Sequence, residues 1–452
     1  MRLAADVSQS RSAPQAGDGP PKLRARAAPS AFSLREAGEH PVLALLAGGR
    51  EKLGQRRLEV GVPVETPEDA EAGLAEALSR TGAGTVFDLS DAPVLSNARR
   101  CRMASIALWQ RATYRGADFT FTPPPRPPVG GVPSVAVLGM GKRMGKTALT
   151  GHAARVWRDS GLSPVVVAMG RGGPSEPQVL GRGSELTPRV LLDWVARGRH
   201  AASDYVEGAL FAGVPTVGTW RAGGGLAGAT CFDDYRRALE RALELAPGLL
   251  VLESSGCAVP PARTDAGLLV VGAETSPADL FGYFGLYRTL LADLIVLTKC
   301  EHDADRQHLA ALETIVRETP SPPEVIRTVF RPRPLDGVAG KRVWFATTAD
   351  PRYGPVLRQH LEDAHGAEVT GLSHALADRD RLRVDLDTQA ARGAEVLAVE
   401  LKAAAVDVVT QCATERDVEV VYVENRPVAP DGAAVDAPFL ALSESALTRY
   451  RA

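Results

Sequence analysis

A short apolar stretch, Val135-Ala136-Val137-Leu138, runs without interruption into Gly139-Met140-Gly141-Lys142-Arg143-Met144-Gly145-Lys146-Thr147, and no other feature narrows the fold of this chain as much. A buried strand that ends in a glycine-rich loop and continues as a helix is the grammar of a phosphate-binding loop. Gly139, Gly141 and Gly145 let backbone N–H groups turn inward around phosphate oxygens, and the helix behind them offers its positive end. In such a loop Lys146 neutralises the β and γ oxygens of a nucleotide, and Thr147 offers its hydroxyl to a magnesium ion. The whole stretch from Gly139 to Thr147 is therefore the expected cradle, with ATP and Mg2+ as cofactors.

The acid that completes such a site comes from a later strand end. Leu249-Leu250-Val251-Leu252-Glu253 stops an apolar strand on a carboxylate, which makes Glu253 the candidate metal acid beside Thr147. Further clusters share one chemistry. Arg171-Gly172-Gly173-Pro174 and Arg221-Ala222-Gly223-Gly224-Gly225 follow strands, His200-Ala201-Ala202-Ser203-Asp204 precedes a helix, and Arg263-Thr264-Asp265 lies soon after Glu253. In an open α/β sheet the ligand sits beyond the carboxyl ends of the strands, so these cations are expected to converge there. Taken singly, an Arg beside glycine is an ordinary turn and a His an ordinary capping or packing residue. Thr298-Lys299-Cys300-Glu301 stands where nucleotide enzymes read the base with an [NT]-K-x-D sequence, but it matches only in part. Lys402 reads as the exposed edge of an amphipathic helix, with an additional substrate cation as the other reading.

At 452 residues the chain exceeds a single core, and its text divides accordingly. Residues 1–36, rich in Ala, Pro, Ser and Arg without an apolar period, read as a disordered tail. Residues 37–128 alternate strands and helices as a small α/β domain and end in the stiff spacer Pro123-Pro124-Pro125-Arg126-Pro127-Pro128. Over 129–334, continuous β-branched runs alternate with helical periods, as in a parallel sheet covered on both faces. Residues 335–426 form a C-terminal α/β segment with a long helix expected around 394–416, and 427–452 read as a flexible tail. The fold class is α/β, a central parallel-sheet P-loop domain with smaller α/β parts on either side.

Lys and Arg number 52 and Asp and Glu 54, a net charge of −2, so no global field draws the chain to nucleic acid or an anionic membrane. Any anion site has to be local. Five scattered cysteines, without a C-x-x-C pair, read as reduced thiols in a cytoplasmic protein. No apolar run approaches the ~18 to 20 residues of a membrane span.

The glycine spacing of the loop departs from the strict pattern: Met140 stands where a glycine is usual, and the glycine comes one step earlier, at Gly139. The same spacing occurs in dethiobiotin synthetase and its relatives, which the loop resembles. Taken in order, G-M-G-K-R-M-G-K-T, V-A-M-G-R-G-G-P, H-A-A-S-D, R-A-G-G-G-L-A-G, E-S-S-G-C-A-V-P-P-A-R-T-D and E-L-K-A-A-A-V-D resemble the cyclic 2,3-diphosphoglycerate synthetase family over roughly residues 40–425. That resemblance implies ATP-dependent closure of a small polyanionic substrate, 2,3-diphosphoglycerate, into a cyclic pyrophosphate, with magnesium, a cytoplasmic location and a homodimer. Lys142, Arg143, Lys146, Arg171, His200, Arg221 and Arg263 are the cations that such a substrate and the γ-phosphate call for. Two other readings stand beside it: a dethiobiotin-synthetase-like ligase on another small acid, and a P-loop nucleotide switch or metallochaperone. The last would be expected to carry His/Cys clusters, which the sequence lacks.

Overall fold

A computed structural model describes residues 34–48, 60–91, 94–181, 184–301 and 305–452. The expected N-terminal tail lies outside these residues for its first 33 positions. The chain forms two compact units. The first takes residues through Pro124 and also Ser276–Leu291 and Ala310–Pro323; the second takes Pro125–Thr275, Ala292–Leu309 and Glu324–Ala452. The first unit therefore recruits two pieces from the middle of the chain, which a division at the proline spacer does not anticipate.

In the first unit β1 (Ala44–Leu45) pairs in parallel with β2 (Val64–Glu65), and β3 (Thr85–Phe87), β4 (Thr113–Arg115) and β5 (Thr120–Phe121) form a second small sheet. Helix α1 (Ala70–Thr81) is capped by the Asp69 carboxylate and stopped by Gly82 in the left-handed region, so both ends have their orphan backbone groups satisfied. Helix α2 (Asn97–Trp109) buries Met103, Ile106 and Leu108. The buried Asp88 accepts hydrogen bonds from Ser90, Arg100 and Tyr114, which satisfies a charge that would otherwise be costly.

The second unit is built on two sheets. In the larger, the parallel strands run in the order β9 (Thr216–Ala222), β7 (Pro164–Gly170), β11 (Leu249–Glu253), β6 (Ser134–Gly139), β12 (Ala266–Gly272), β13 (Leu294–Thr298) and β14 (Glu324–Arg327), and β8 (Gln178–Leu180) and β10 (Phe232–Asp233) pair antiparallel to β9. Every residue of β6, β11, β12 and β13 is buried, as a parallel sheet covered on both faces requires. Helix α3 (Lys146–Asp159) follows β6 directly, and α4 (Asp204–Ala212) and α5 (Tyr235–Leu243) pack against the same sheet.

The smaller sheet has the order β15 (Val329–Pro334), β19 (Glu419–Val428), β18 (Val396–Glu400), β16 (Arg342–Ala346) and β17 (Glu368–Ser373), parallel except for the β15–β19 pair. Helix α6 (Gly354–His365) packs against it through Leu357 and Leu361. The long helix expected around 394–416 does not form. Its first part is the central strand β18, because Val396-Leu397-Ala398-Val399 is a short continuous apolar run that suits a strand buried on both faces as well as a helix. Only Ala405–Thr410, as a π-helical turn, and Gln411–Arg416 are helical.

The closing stretch is not a loose tail either. Helix α7 (Asp436–Arg451) buries Phe439, Leu442 and Ala446 against α3, β6 and β12, and the Trp157 indole donates to the Phe439 carbonyl at 2.7 Å. Its apolar positions are too few to stand out in the sequence, and the segment is ordered by the α3 surface it covers. Removing 435–452, or making Phe439→Ala, should therefore destabilise the second unit; the substitution is expected to cost about 3–5 kcal/mol, read as a lowered urea midpoint. An unchanged midpoint would show that α7 docks without contributing to the core.

Candidate functional site

Strand β6 delivers the glycine-rich loop to the carboxyl edge of the large sheet, and the loop is stitched to its neighbours there. Met140 N–H donates to Val270 O at 3.1 Å, and Thr298 Oγ1 donates to Met144 O at 2.9 Å. Gly145 caps α3 in the left-handed region, with φ of 89°. A Cβ at that position would lie 2.2 Å from the Phe330 ring, so only glycine satisfies both the backbone and the neighbour.

Lys146 begins α3 and folds back over the start of the loop. A Cβ on Gly139 would meet its Nζ at 2.7 Å, so the bare glycine is what leaves room for the lysine. The ammonium donates to Gly141 O at 3.1 Å and Gly256 O at 3.0 Å, and the side chain is 8% exposed. Burial lowers its pKa, opposed by the nearby Glu253 and Asp204 carboxylates. Directly after it, Thr147 Oγ1 donates to Glu253 Oε1 at 2.9 Å. Glu253 is 2% exposed, and its second oxygen, Oε2, is buried without a hydrogen-bond partner. Burial pushes its pKa well above the usual carboxylate range; Asp204 and Glu207 add to this, and Thr147 and Lys146 oppose it. A buried carboxylate oxygen left without a donor, next to the threonine of a P-loop, is the arrangement a divalent cation would complete.

The loop opens onto a cavity of about 520 Å³. From the large sheet it is lined by Lys142 to Ala148, Arg171, Asp204, Glu207, Glu274 and Lys299; from the small sheet and its loops come Thr348, Asp350, Arg352, Tyr353, Glu400 and Lys402. Both sheets turn the carboxyl ends of parallel strands toward it: β6, β12 and β13 on one side, β16 and β18 on the other.

The structure sorts the predicted cations. Lys142, Arg143, Lys146 and Arg171 line the cavity. His200 is exposed and lies against Gly172, beside Arg171 but off the cavity wall. Arg221 is 3% exposed, and its guanidinium donates to Gly223 O at 2.5 Å and Ser255 O at 2.6 Å. It therefore braces the Ser255-Gly256 turn that supplies a carbonyl to Lys146, and it does not face the cavity. Arg263 is not brought to the site. It precedes β12, whose Ala266 pairs with Val135 near the start of β6, and it bridges Pro128. That is the amino edge of the sheet, about 20 Å of strand away from the loop.

Several further groups at the cavity lie outside the loop and arginine motifs. Asp204 closes the H-A-A-S-D block, where the histidine is the more conspicuous group. Lys299 stands in the partial base-reading sequence, whose Glu301 is already engaged by Arg331 at 2.7 and 2.9 Å. Glu207 and Arg352 carry no local motif, and Glu400 opens the E-L-K-A-A-A-V-D block, as an acid not among the expected cations. Lys402 is not on a helix: it sits in the turn after β18, its ammonium 3.5 Å from Glu207.

Comparison with known proteins agrees with this architecture along the chain. Three family models match: the N-terminal domain of cyclic 2,3-diphosphoglycerate synthetase over residues 2–122, its P-loop domain over 134–329 and its C-terminal domain over 334–426. The chain belongs to the cyclic 2,3-diphosphoglycerate synthetase family. It is 44% identical over 402 residues to the cyclic 2,3-diphosphoglycerate synthetase of Rubrobacter xylanophilus, covering 88% of this chain and 90% of that protein. The synthetase of Thermococcus kodakarensis is 42% identical over 410 residues, covering 90% and 93%, and that of Methanothermobacter thermautotrophicus 38% over 419 residues, covering 90% of each. The N-terminal match reaches back to residue 2, into the stretch whose composition suggested a tail outside the family's blocks.

For this family member Gly145→Ala should abolish nucleotide binding, since the new methyl meets Phe330 and the backbone is held at positive φ. Gly145→Ala/Phe330→Ala removes the clash but not the strained backbone, so it should recover thermal stability without recovering ATP affinity. Calorimetric titration with ATP alongside thermal unfolding checks both expectations.

Proposed function

We propose that this protein converts 2,3-diphosphoglycerate to cyclic 2,3-diphosphoglycerate, closing an intramolecular phosphoanhydride at the expense of ATP and releasing ADP and phosphate. The observation that carries the reading is the cavity itself, where a P-loop lysine and cations from two sheets meet within one space, in a chain whose relatives bear that name over nearly their full length.

In this reading the γ-phosphoryl is transferred to one phosphate of the substrate. The neighbouring phosphate then attacks the new anhydride and expels inorganic phosphate, so that one P–O bond forms as another breaks in each step. The oxygens that attack are already anionic, and little proton transfer is needed. What the protein contributes is position and charge. The loop from Gly139 to Thr147 would hold the nucleotide phosphates, with Lys146 on the β and γ oxygens; Lys142, Arg143 and Arg171 would face the transferring phosphoryl and its acceptor. Arg221 acts through Gly256 as a positioning residue. His200 would at most orient Arg171.

Thr147 and Glu253 are the residues that would hold magnesium, and the unpartnered Glu253 Oε2 supports that choice. When bound, the ion neutralises charge on the β and γ oxygens. Among the described residues no group of three or more His, Cys, Asp or Glu is placed to hold a metal, so phosphate oxygens and water would supply the rest of its shell. A cytoplasmic location and a homodimer belong to the same proposal; the location is supported by five cysteines, none of which forms a disulfide. No described helix is long and apolar enough to cross a membrane.

The direct test is incubation with ATP, Mg2+ and 2,3-diphosphoglycerate followed by phosphorus NMR. The expected result is loss of the two monoester signals and growth of anhydride signals together with ADP and phosphate; ATP hydrolysis that diphosphoglycerate leaves unchanged would overturn the reading. Lys146→Ala should abolish turnover in a folded protein, and Glu253→Gln should raise the magnesium concentration needed for half-maximal rate. Arg171→Ala is expected to raise the KM for diphosphoglycerate roughly tenfold to a hundredfold, the worth of a charged contact to phosphate. Arg263→Ala should leave it within about twofold, as a surface residue far from the site does.

A further inference from the structure

The P-loop cations account for the nucleotide and for the phosphate that receives the γ-phosphoryl, but a ring can close only if the second substrate phosphate is held close to the first against their mutual repulsion. Three more cations line the cavity beyond the loop itself: Lys299 at the end of β13, in the loop's own sheet, and, from the small sheet, Lys402 after β18 and Arg352 in the turn after β16. They come from separate strand ends and from both sheets. Among the described residues the Lys299 ammonium has no hydrogen bond or ion pair. Arg352 is held by Glu274 at 2.5 Å. Lys402 is held by Glu207, which is 5% exposed.

The backbone points to the same place. Seven non-glycine residues among those described adopt positive φ, and three of them line this cavity: Arg143 at 61°, Lys299 at 61° and Ala403 at 45°, the last directly after Lys402. Left-handed backbone at a residue with a side chain is disfavoured, and it persists where the surroundings demand a particular direction of the chain. Here each instance sets a cation, or the residue next to one, on the cavity wall. The electrostatics agree. Burial lowers the Lys299 pKa, and Lys402, Arg352 and Arg143 lower it further against the opposing Glu274, as expected for like charges gathered without an anion. For Lys402, burial is outweighed by Glu207, Glu400 and Asp204, which together keep it charged.

We propose that Lys299 and Lys402, flanked by Arg352, form a second anion site that binds the substrate phosphate not receiving the γ-phosphoryl, with Glu207 as the positioning residue that aims Lys402 at it. The assignment rests on the cyclisation reading and names the part of the substrate that these cations take. An ammonium has three donors, so Lys402 can keep Glu207 and still reach a phosphate. Glu400 does not compete for it, because its carboxylate already accepts from Thr347 Oγ1 and from Thr348 N and Oγ1.

The experiment compares wild type with Lys299→Met, Lys402→Met, Lys402→Arg and the double variant Glu207→Gln/Lys402→Met. Each is titrated calorimetrically with 2,3-diphosphoglycerate and with 3-phosphoglycerate, which carries one phosphate fewer, and separately with ATP. Lys402→Met alone leaves Glu207 buried without its partner and is expected to lower thermal stability; the double variant removes that buried charge and should restore the stability. The expected result is a ~10- to 100-fold loss of diphosphoglycerate affinity in Lys299→Met and in the stable double variant, with ATP affinity unchanged, the preference over 3-phosphoglycerate reduced, and partial rescue in Lys402→Arg. Wild-type affinity for diphosphoglycerate in the stable double variant and in Lys299→Met would overturn the proposal, as would absence of binding by wild type. Binding by wild type that these variants lose, without formation of a cyclic product, would keep the anion site and overturn the cyclisation reading instead.

Discussion

The Lys146 ammonium lies between two backbone carbonyls, Gly141 O from its own loop and Gly256 O from the turn after β11, and that placement ties the parts of the site together. The turn carrying Gly256 is held by Arg221, whose guanidinium grips Ser255 O from the end of β9. Three strands of one sheet, β9, β11 and β6, thus set one positive charge through short contacts. The side chain can lie there because Gly139 has no Cβ to displace it. A lysine placed in advance loses little conformational freedom when a nucleotide arrives, which is how a P-loop turns binding energy into position.

Beneath that lysine the charge is unbalanced on purpose of geometry rather than of sequence. Glu253 has one oxygen on Thr147 and the other without a donor, while Asp204 and Glu207 raise its pKa further. A carboxylate in that position is destabilised until a cation joins it. The neighbouring acids are answered from the other sheet, where Lys402 meets Glu207. The two sheets of the second unit are thereby coupled through opposite charges at the cavity and through an apolar interior that Arg155 crosses to reach Glu424 at 2.7 Å.

Parallel topology explains why a cavity forms where it does. Every parallel strand of the large sheet ends at the same edge, and the loops leaving those ends are free to carry function because the strands behind them are fully buried. The small sheet repeats the device with β16 and β18. Residues entering a strand are at the far edge by the same rule. Arg263, close in sequence to Glu253, is therefore remote from it in space.

The sequence by itself determined what contiguous residues can express. The loop from Gly139 to Thr147, the acid at Glu253 and the buried parallel strands are each a local pattern, in which strand, turn and helix follow one another along the chain and hydrogen-bond to near neighbours. Even there a short apolar run such as Val396-Leu397-Ala398-Val399 was ambiguous, because periodicity does not separate a strand buried on both faces from a piece of buried helix. Tertiary structure alone decided which cations share a space. Arg221 turned inward to brace a carbonyl, Arg263 went to the opposite edge, and Lys299, Arg352 and Lys402 came together from segments up to about a hundred residues apart. It also ordered α7, whose apolar positions mean little until α3 offers them a surface. Strand register and the facing of two sheets set those outcomes, and both are properties of pairing between distant segments that no stretch of the chain contains.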